Sequence, residues 1–209
     1  LDASVGMILK TLDSMKLAEN TIIIFTSDNG PYWRDDYIKK FQHQSAGPWR
    51  GMKGDAHEGG HRVPFIVRWP GKIKPGTVSD ATITHANLLA TAAELVNNKD
   101  SKYKVEDSYS ILSVLQGKAV KVPGQEAVVH HSSNGFFAIR KGDWKLIVGL
   151  GSGGFSNPKI LIPKAGEPGV QLYNLKLDPH EDKNLASLHP DIVKELMEKL
   201  DQIKQSKQP

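Results

Sequence analysis

One ten-residue stretch, Thr21-Ile-Ile-Ile-Phe-Thr-Ser-Asp-Asn-Gly30, limits the folds open to this chain more than any other. Ile22 to Phe25 form a continuous apolar run, β-branched apart from Phe25. A strand buried on both faces of a parallel sheet reads this way. The run stops abruptly at Asp28, Asn29, Gly30 and Pro31. In open α/β sheets the C-terminal edge of the strands is where ligands and metals bind. A carboxylate beside an amide oxygen suits a hard cation such as Ca²⁺ or Mg²⁺ better than zinc. Asp, Asn and Gly also favour turns for purely local reasons, so the run taken alone reads first as a turn.

The flanking sequence supplies a frame for that strand. Leu1, Val5, Ile8, Leu9, Leu12 and Leu17 recur at helical spacing, which predicts an amphipathic helix over 2–16. A helix feeding directly into a strand suggests a sheet with helices packed on its faces. Residues 31–62 are polar, rich in Gly, Trp, His and Arg, and aperiodic. A loop of that length inside a compact domain is usually functional or disordered. Val63–Trp69 predicts a second strand and His85–Val96 a second helix, with a short apolar turn at Ile111–Leu115 after the polar stretch Asn97–Tyr109.

The grammar changes at Val122-Pro-Gly124, which sets a boundary between 1–124 and 125–209. Beyond it lie short strand-like runs at Ala127–His130, Phe136–Arg140, Trp144–Val148 and Val170–Leu175. Lys141-Gly-Asp143 supplies a hairpin turn, and His189-Pro190-Asp191 opens a final helix to about Gln205. The second part thus reads as a small antiparallel α+β layer appended to an α/β part.

Composition removes several function classes. No apolar run approaches bilayer length, so no membrane span is expected. The net charge is +4, its lysines are scattered, and the basic tail Lys199–Lys207 is mixed with Asp and Gln. That is a solvated helix end, not a nucleic-acid footprint. The chain has no cysteine, which excludes disulfides, thiolate metal sites and a cysteine nucleophile within it. It begins at Leu1 without a leader and reads as a fragment or a processed product.

Two motifs mislead. His57-Glu-Gly-Gly-His61 spells a zincin motif, which works only on a helix, and its paired glycines and nearby Pro64 disfavour one. Gly149-Leu-Gly-Ser-Gly-Gly154 spells a dinucleotide fingerprint, but Phe155-Ser-Asn-Pro158 follows where a helix must open, so it reads as a flexible loop.

A third pattern carries more. Gly47-Pro-Trp-Arg-Gly-Met-Lys-Gly-Asp-Ala-His-Glu-Gly-Gly-His-Arg-Val-Pro64, following a strand that ends in Ser-Asp-Asn-Gly, resembles the sulfatase family. Leu1-Asp-Ala-Ser-Val-Gly, Ala138-Ile-Arg-Lys-Gly-Asp-Trp-Lys-Leu-Ile147 and Leu172-Tyr-Asn-Leu-Lys-Leu-Asp-Pro-His-Glu-Asp-Lys-Asn-Leu-Ala186 resemble further blocks of its C-terminal portion, in order. The resemblance implies an alkaline-phosphatase-like fold and hydrolysis of sulfate esters at a calcium-assisted site. It matches Asp28 and Asn29 to metal ligands and Lys53 to the lysine that contacts sulfate. Glu58 and Arg62 match positions that shape the loop through hydrogen bonds. His61 and His131 are weaker substrate-binding candidates; His57 and His61 both fall at positions the family varies, where a histidine could line a substrate pocket but more commonly sits exposed on the loop.

The family's formylglycine nucleophile, made within Cys/Ser-x-Pro/Ala-x-Arg, belongs to its N-terminal half, and no such motif occurs here. The resemblance therefore implies a C-terminal portion that is inactive in isolation. It also implies a sulfated small molecule or sulfated glycan as substrate and a periplasmic or secreted location. Two rivals stand beside it. A phosphodiesterase or phosphonate hydrolase of the same superfold would use two transition metals, and Asn29 in place of His argues against that. A non-catalytic carbohydrate-binding module would stack sugars on Trp33, Trp49 and Trp69.

Overall fold

The computed structural model describes residues 1–97 and 107–205. Most of the polar stretch expected between Asn97 and Tyr109, and the end of the basic tail, lie outside these residues. The chain divides into two compact units, one of 1–26 with 64–125 and one of 27–63 with 126–209.

In the first unit α1 (Asp2–Ser14) leads to β1 (Ile23–Thr26), which pairs with β2 (Phe65–Arg68). The pairing is antiparallel, Ile23 opposite Arg68 and Thr26 opposite Phe65, and β1 is half-buried along its length. The expectation of a parallel strand covered on both faces is corrected on both counts within this chain. An apolar run reports burial tendency but not the direction of its partner. Here residues 27–63, which join β1 to β2, belong to the other unit, and β2 runs the opposite way to β1. Arg68 Nη2 reaches Asp13 Oδ1 at 2.7 Å and so ties β2 to the end of α1.

α3 (Asn87–Leu95) and α4 (Leu112–Leu115) complete this unit. Ile111, Val114 and Val122 form its buried cluster, with Phe65 and Ile83 packed against them. Asn87 is fully buried and fully used. Its Oδ1 accepts from Thr84 N, and its Nδ2 donates to Tyr109 O and Gln125 Oε1. A buried amide satisfied on both ends fixes the chain at low cost, where an unsatisfied one would destabilise.

The second unit is built on a meander, β3 (Val128–His131), β4 (Phe137–Lys141), β5 (Trp144–Ile147) and β6 (Gln171–Asn174), all antiparallel and in that order. The four strands agree with the sequence reading to within two residues at each end. Period-two alternation sorts their side chains. Ile139, Leu146 and Leu172 stand in one cross-strand row and pack under Leu196 and Leu200 of α5 (Pro190–Gln205). The opposite face carries Ala138, Arg140, Lys145, Ile147 and Tyr173, and residues 50–62 cover it. The sheet is therefore buried on both sides, and the second side mixes an apolar cluster with the charged Arg140 and Lys145.

α2 (Asp35–Phe41) lies in the segment expected to be aperiodic loop. Trp33, Tyr37 and Phe41 recur every four residues and their rings meet at 5.5 and 6.1 Å between centroids, which is helix spacing. Glu58–Gly60 forms a 3₁₀ turn in place of a helix, as the paired glycines required.

A candidate sulfate and cation site

Three glycines bring the strand end and the 50–62 segment together. A Cβ on Gly30 would fall 1.9 Å from Gly59 O, so the two backbones touch where no side chain fits. Gly59 and Gly60 are pressed in the same way onto the turn before them, with Gly51 O at 2.5 Å and Asp55 O at 2.3 Å from the positions their Cβ atoms would take. Gly30 N donates to Gly60 O at 3.0 Å, and Lys53 N donates to Pro31 O at 2.9 Å. These two bonds set the Asp28–Asn29 pair and the Lys53 turn side by side.

Asp28 and Lys53 are both exposed, Asn29 is half-buried, and Asn29 Nδ2 donates to Asp28 Oδ1 at 2.6 Å. The pair offers carboxylate and amide oxygens, the donor chemistry a hard cation takes. For the amide to act as a ligand its oxygen must turn toward the ion. Ca²⁺ takes six to eight oxygens. Among the described residues no group of three or more His, Asp or Glu side chains could hold an ion. Asp28 and Asn29 offer fewer oxygens than such a shell takes.

Asp55 anchors the turn that presents Lys53. It is fully buried and accepts from Met52 N at 2.9 Å, Phe155 N at 2.6 Å and Ser156 N at 3.0 Å. Gly154 permits this contact, since its Cβ would fall 2.2 Å from Gly54 O. Ala56 N also donates to Ser152 O, and Ser133 N to Gly54 O, both at 2.8 Å. The Gly149–Gly154 run, expected to be a flexible loop, is instead fastened to the Lys53 turn at Ser152 and Gly154.

Beneath the turn lies a buried charge cluster that the sequence reading half anticipated. Glu58 Oε2 accepts from Arg62 Nε at 2.8 Å, as expected for a loop-shaping pair. The unexpected member is Lys145, which has no exposed surface. Its Nζ donates to Glu58 Oε1 at 2.9 Å and lies 2.9 Å from Glu181 Oε1, an ion-pair contact without hydrogen-bond alignment. Glu181 closes the ring by accepting from Glu58 N at 2.6 Å, and its carbonyl accepts from Arg50 Nη1 at 2.7 Å. Burial disfavours the charged form of Glu58, but Lys145, Arg62 and Arg140 outweigh it and bring its pKa down to about 2. Glu181 moves the other way, raised by burial against the pull of Lys145. The pattern does not flag Lys145, because alternation puts it out of step with Trp144 and Leu146, on the face that reads as open to solvent until residues 50–62 cover it.

The histidines fall in three environments. His131 is exposed, with Nδ1 placed 2.9 Å from Ser132 O. His61 packs against His130 with ring centroids 3.8 Å apart and planes tilted by 46°, and His61 Nε2 and His130 Nδ1 are buried without hydrogen-bond partners. Burial, with Lys145 nearby, lowers the His61 pKa to about 4. His57, expected on the loop surface, is 1% exposed because it lies under the glycine-rich turn against Tyr173. Its pKa falls to about 3 through burial and then the charges of Arg50 and Lys145.

Comparison with known proteins decides what this arrangement belongs to. The family model described as Sulfatase matches residues 1–98. The chain is 39% identical over 98% of its length to N-acetylgalactosamine-6-O-sulfatase of Bacteroides thetaiotaomicron, of which it covers 40%. The chain belongs to the sulfatase family. Human arylsulfatase A is 31% identical over 94% of this sulfatase chain, which again covers 40% of the relative. A solved structure from work on glycosaminoglycan metabolism by Bacteroides thetaiotaomicron superposes with a TM-score of 0.84 and 37% identity, over 98% of the chain and 43% of that structure. The sulfatase chain therefore spans about two fifths of the relatives it matches and corresponds to their C-terminal portion. It has the alkaline-phosphatase-like fold of the family, with its small antiparallel C-terminal layer. No helix among the described residues is long and apolar enough to cross a membrane.

Proposed function

We propose that this chain is the sulfate-holding and cation-holding portion of an arylsulfatase-like sulfuric ester hydrolase. The observation that carries the reading is the pair of backbone bonds, Gly30 N to Gly60 O and Lys53 N to Pro31 O, that fixes Lys53 beside Asp28 and Asn29. Hydrolysis of a sulfate ester adds water across the S–O bond and releases an alcohol and sulfate. Negative charge builds on the departing oxygen while the sulfate oxygens stay anionic. A fixed ammonium beside those oxygens holds the ester in place and offsets their charge, which is the kind of preorganised contact that speeds such reactions. Lys53 takes that role, exposed and presented by a turn that Asp55 fastens from beneath. Asp28 and Asn29 hold part of the coordination of a Ca²⁺ ion, which when bound adds a second positive charge toward the sulfate.

The nucleophile is no part of this chain, so the chain alone does not turn over. Substrates are sulfated small molecules or sulfated glycans, and the name of the Bacteroides relative favours a sulfated amino sugar. Export to the periplasm or beyond accords with such substrates.

The test is hydrolysis of 4-nitrophenyl sulfate by the enzyme produced from the whole reading frame. Lys53→Ala is expected to lower kcat/KM by about 100-fold or more, the usual effect of removing one charge-stabilising group. Asp28→Ala is expected to raise the calcium concentration needed for half-maximal rate. Unchanged turnover by the lysine variant sinks the assignment of Lys53. Preference for bis(4-nitrophenyl) phosphate would move the protein to the phosphodiesterase branch of the superfold.

A further inference from the structure

Asparagine followed directly by glycine occurs twice in the chain, at Asn29-Gly30 and at Asn134-Gly135. Asparagine is among the chemically labile residues, and such a pair is its most reactive setting. The backbone nitrogen of the glycine can attack Cγ of the asparagine, and no glycine side chain obstructs the ring that forms. The new N–Cγ bond displaces Nδ2, which leaves as ammonia with the proton that the backbone nitrogen gives up. Water then opens the cyclic imide at either carbonyl and leaves aspartate or isoaspartate. Only water is consumed, and nothing is oxidised or reduced.

The two pairs stand in opposite surroundings. Gly30 is buried, its nitrogen donates to Gly60 O at 3.0 Å, and Gly59 O lies 1.9 Å from where a Cβ would stand. The Asn29 carboxamide is held on Asp28 Oδ1 at 2.6 Å. A ring cannot close there without parting the strand end from the 50–62 segment. Asn134 and Gly135, by contrast, are both exposed at the tip of the β3–β4 hairpin. Nothing lies within 4 Å of the position a Cβ on Gly135 would take. The base of this tip is fixed, since Ser132 N donates to Phe136 O at 3.0 Å and Ser132 Oγ accepts from Phe136 N at 3.0 Å. Gly135 N is engaged by a turn bond to Ser132 O at 3.0 Å, and solvent-exposed bonds of that kind open most readily.

We propose that Asn134 is a site of spontaneous modification, converted through a cyclic imide to aspartate and isoaspartate, while the Gly30–Gly59 contact preserves Asn29 as an amide. The change reaches Lys53. Ser133 N donates to Gly54 O at 2.8 Å and Asn134 N to Gly153 O at 3.0 Å, so the hairpin tip fastens the residue that follows Lys53. Isoaspartate routes the backbone through the former side chain and lengthens the turn by one carbon. Either product adds a carboxylate to it. The modified protein has a slackened Lys53 turn with extra negative charge nearby, and sulfate binding weakens; this last consequence alone rests on the sulfatase reading above.

Peptide mapping by mass spectrometry tests the proposal in the protein produced from the whole reading frame, incubated in mildly alkaline buffer with and without urea. Each conversion raises the peptide by a single mass unit. In urea the two pairs should convert at similar rates, because their local sequence chemistry is the same. In the folded protein Asn134 should convert about tenfold faster than Asn29, or more. Equal rates at the two sites in the folded protein overturn the proposal, as does an intact Asn134 after the urea sample has converted. Asn134→Ser has no carboxamide and cannot form the ring. It should keep its KM for 4-nitrophenyl sulfate through an incubation that raises the wild-type KM about twofold or more. A constant wild-type KM while Asn134 converts overturns the link to Lys53. The mass readout does not depend on what Lys53 binds, so the modification and the sulfatase reading fail separately.

Discussion

Lys145 shows what a single buried charge can demand of its neighbours. Its ammonium has no exposed surface and two glutamates within 2.9 Å. Removing the cation leaves those carboxylates facing each other without water. Lys145→Met should therefore destabilise the chain by about 3–5 kcal/mol, the cost of breaking a buried pair, measured by urea unfolding. The same cluster sets a pH dependence. Glu58 has an ordinary pKa of 4.5 and a folded value of about 2, so the unfolded chain takes up a proton first as the pH falls. Its stabilisation is complete above about 4.5 and drains away down to about 2, and it amounts to roughly 3 kcal/mol. Glu181, raised by burial, has the opposite slope over its own range. His57 and His61 are held neutral when folded, so both add acid sensitivity that begins below 6.5. Stability should fall steadily from pH 7 to pH 3. In a variant carrying Glu58→Gln the part of that fall below about pH 4.5 should flatten, which circular dichroism melts at each pH would reveal.

At the scale of elements, the 50–62 segment folds as it does because of where it lacks side chains. Gly60→Ala would put a methyl group 2.3 Å from Asp55 O, against backbone that cannot rotate away. The expected loss is about 1–3 kcal/mol, read from the urea midpoint, with weaker binding of 4-nitrophenyl sulfate because the Lys53 turn shifts. Asp55→Ala leaves the Phe155 and Ser156 amides without their shared acceptor. Hydrogen exchange at those two amides should quicken in this variant while exchange in β4 and β5 stays slow. The sequence already showed that glycines rule out a helix at His57–His61, because that argument needs only local propensity. It did not show that the Gly149–Gly154 run would lock onto Asp55, because the contact joins residues about a hundred apart and leaves no periodic mark. α2 was legible in principle, since Trp33, Tyr37 and Phe41 recur every four residues, but polar neighbours obscure the stripe.

Across the whole molecule, what was readable followed the range of the interactions involved. The C-terminal meander and α5 were legible from alternation and helical period, since each strand's inward row meets one helix face. The direction of β1's partner was not, because an apolar run is the same in either pairing. Asp28, Asn29 and Lys53 could be picked out by motif, whereas their being neighbours depends on Gly30 meeting Gly59. The polar cluster beneath them joins parts that are far apart in the chain. Glu58 precedes Lys145 by 87 residues, and Glu58 N bonds a carboxylate 123 residues on. During folding, β5 cannot bring its ammonium inside until both glutamates have arrived, because a desolvated charge without a counter-charge is too costly to persist. The early loop and the late strand region must then come home together, and the second unit should form and melt all-or-none, with no stable half-built sheet along the way.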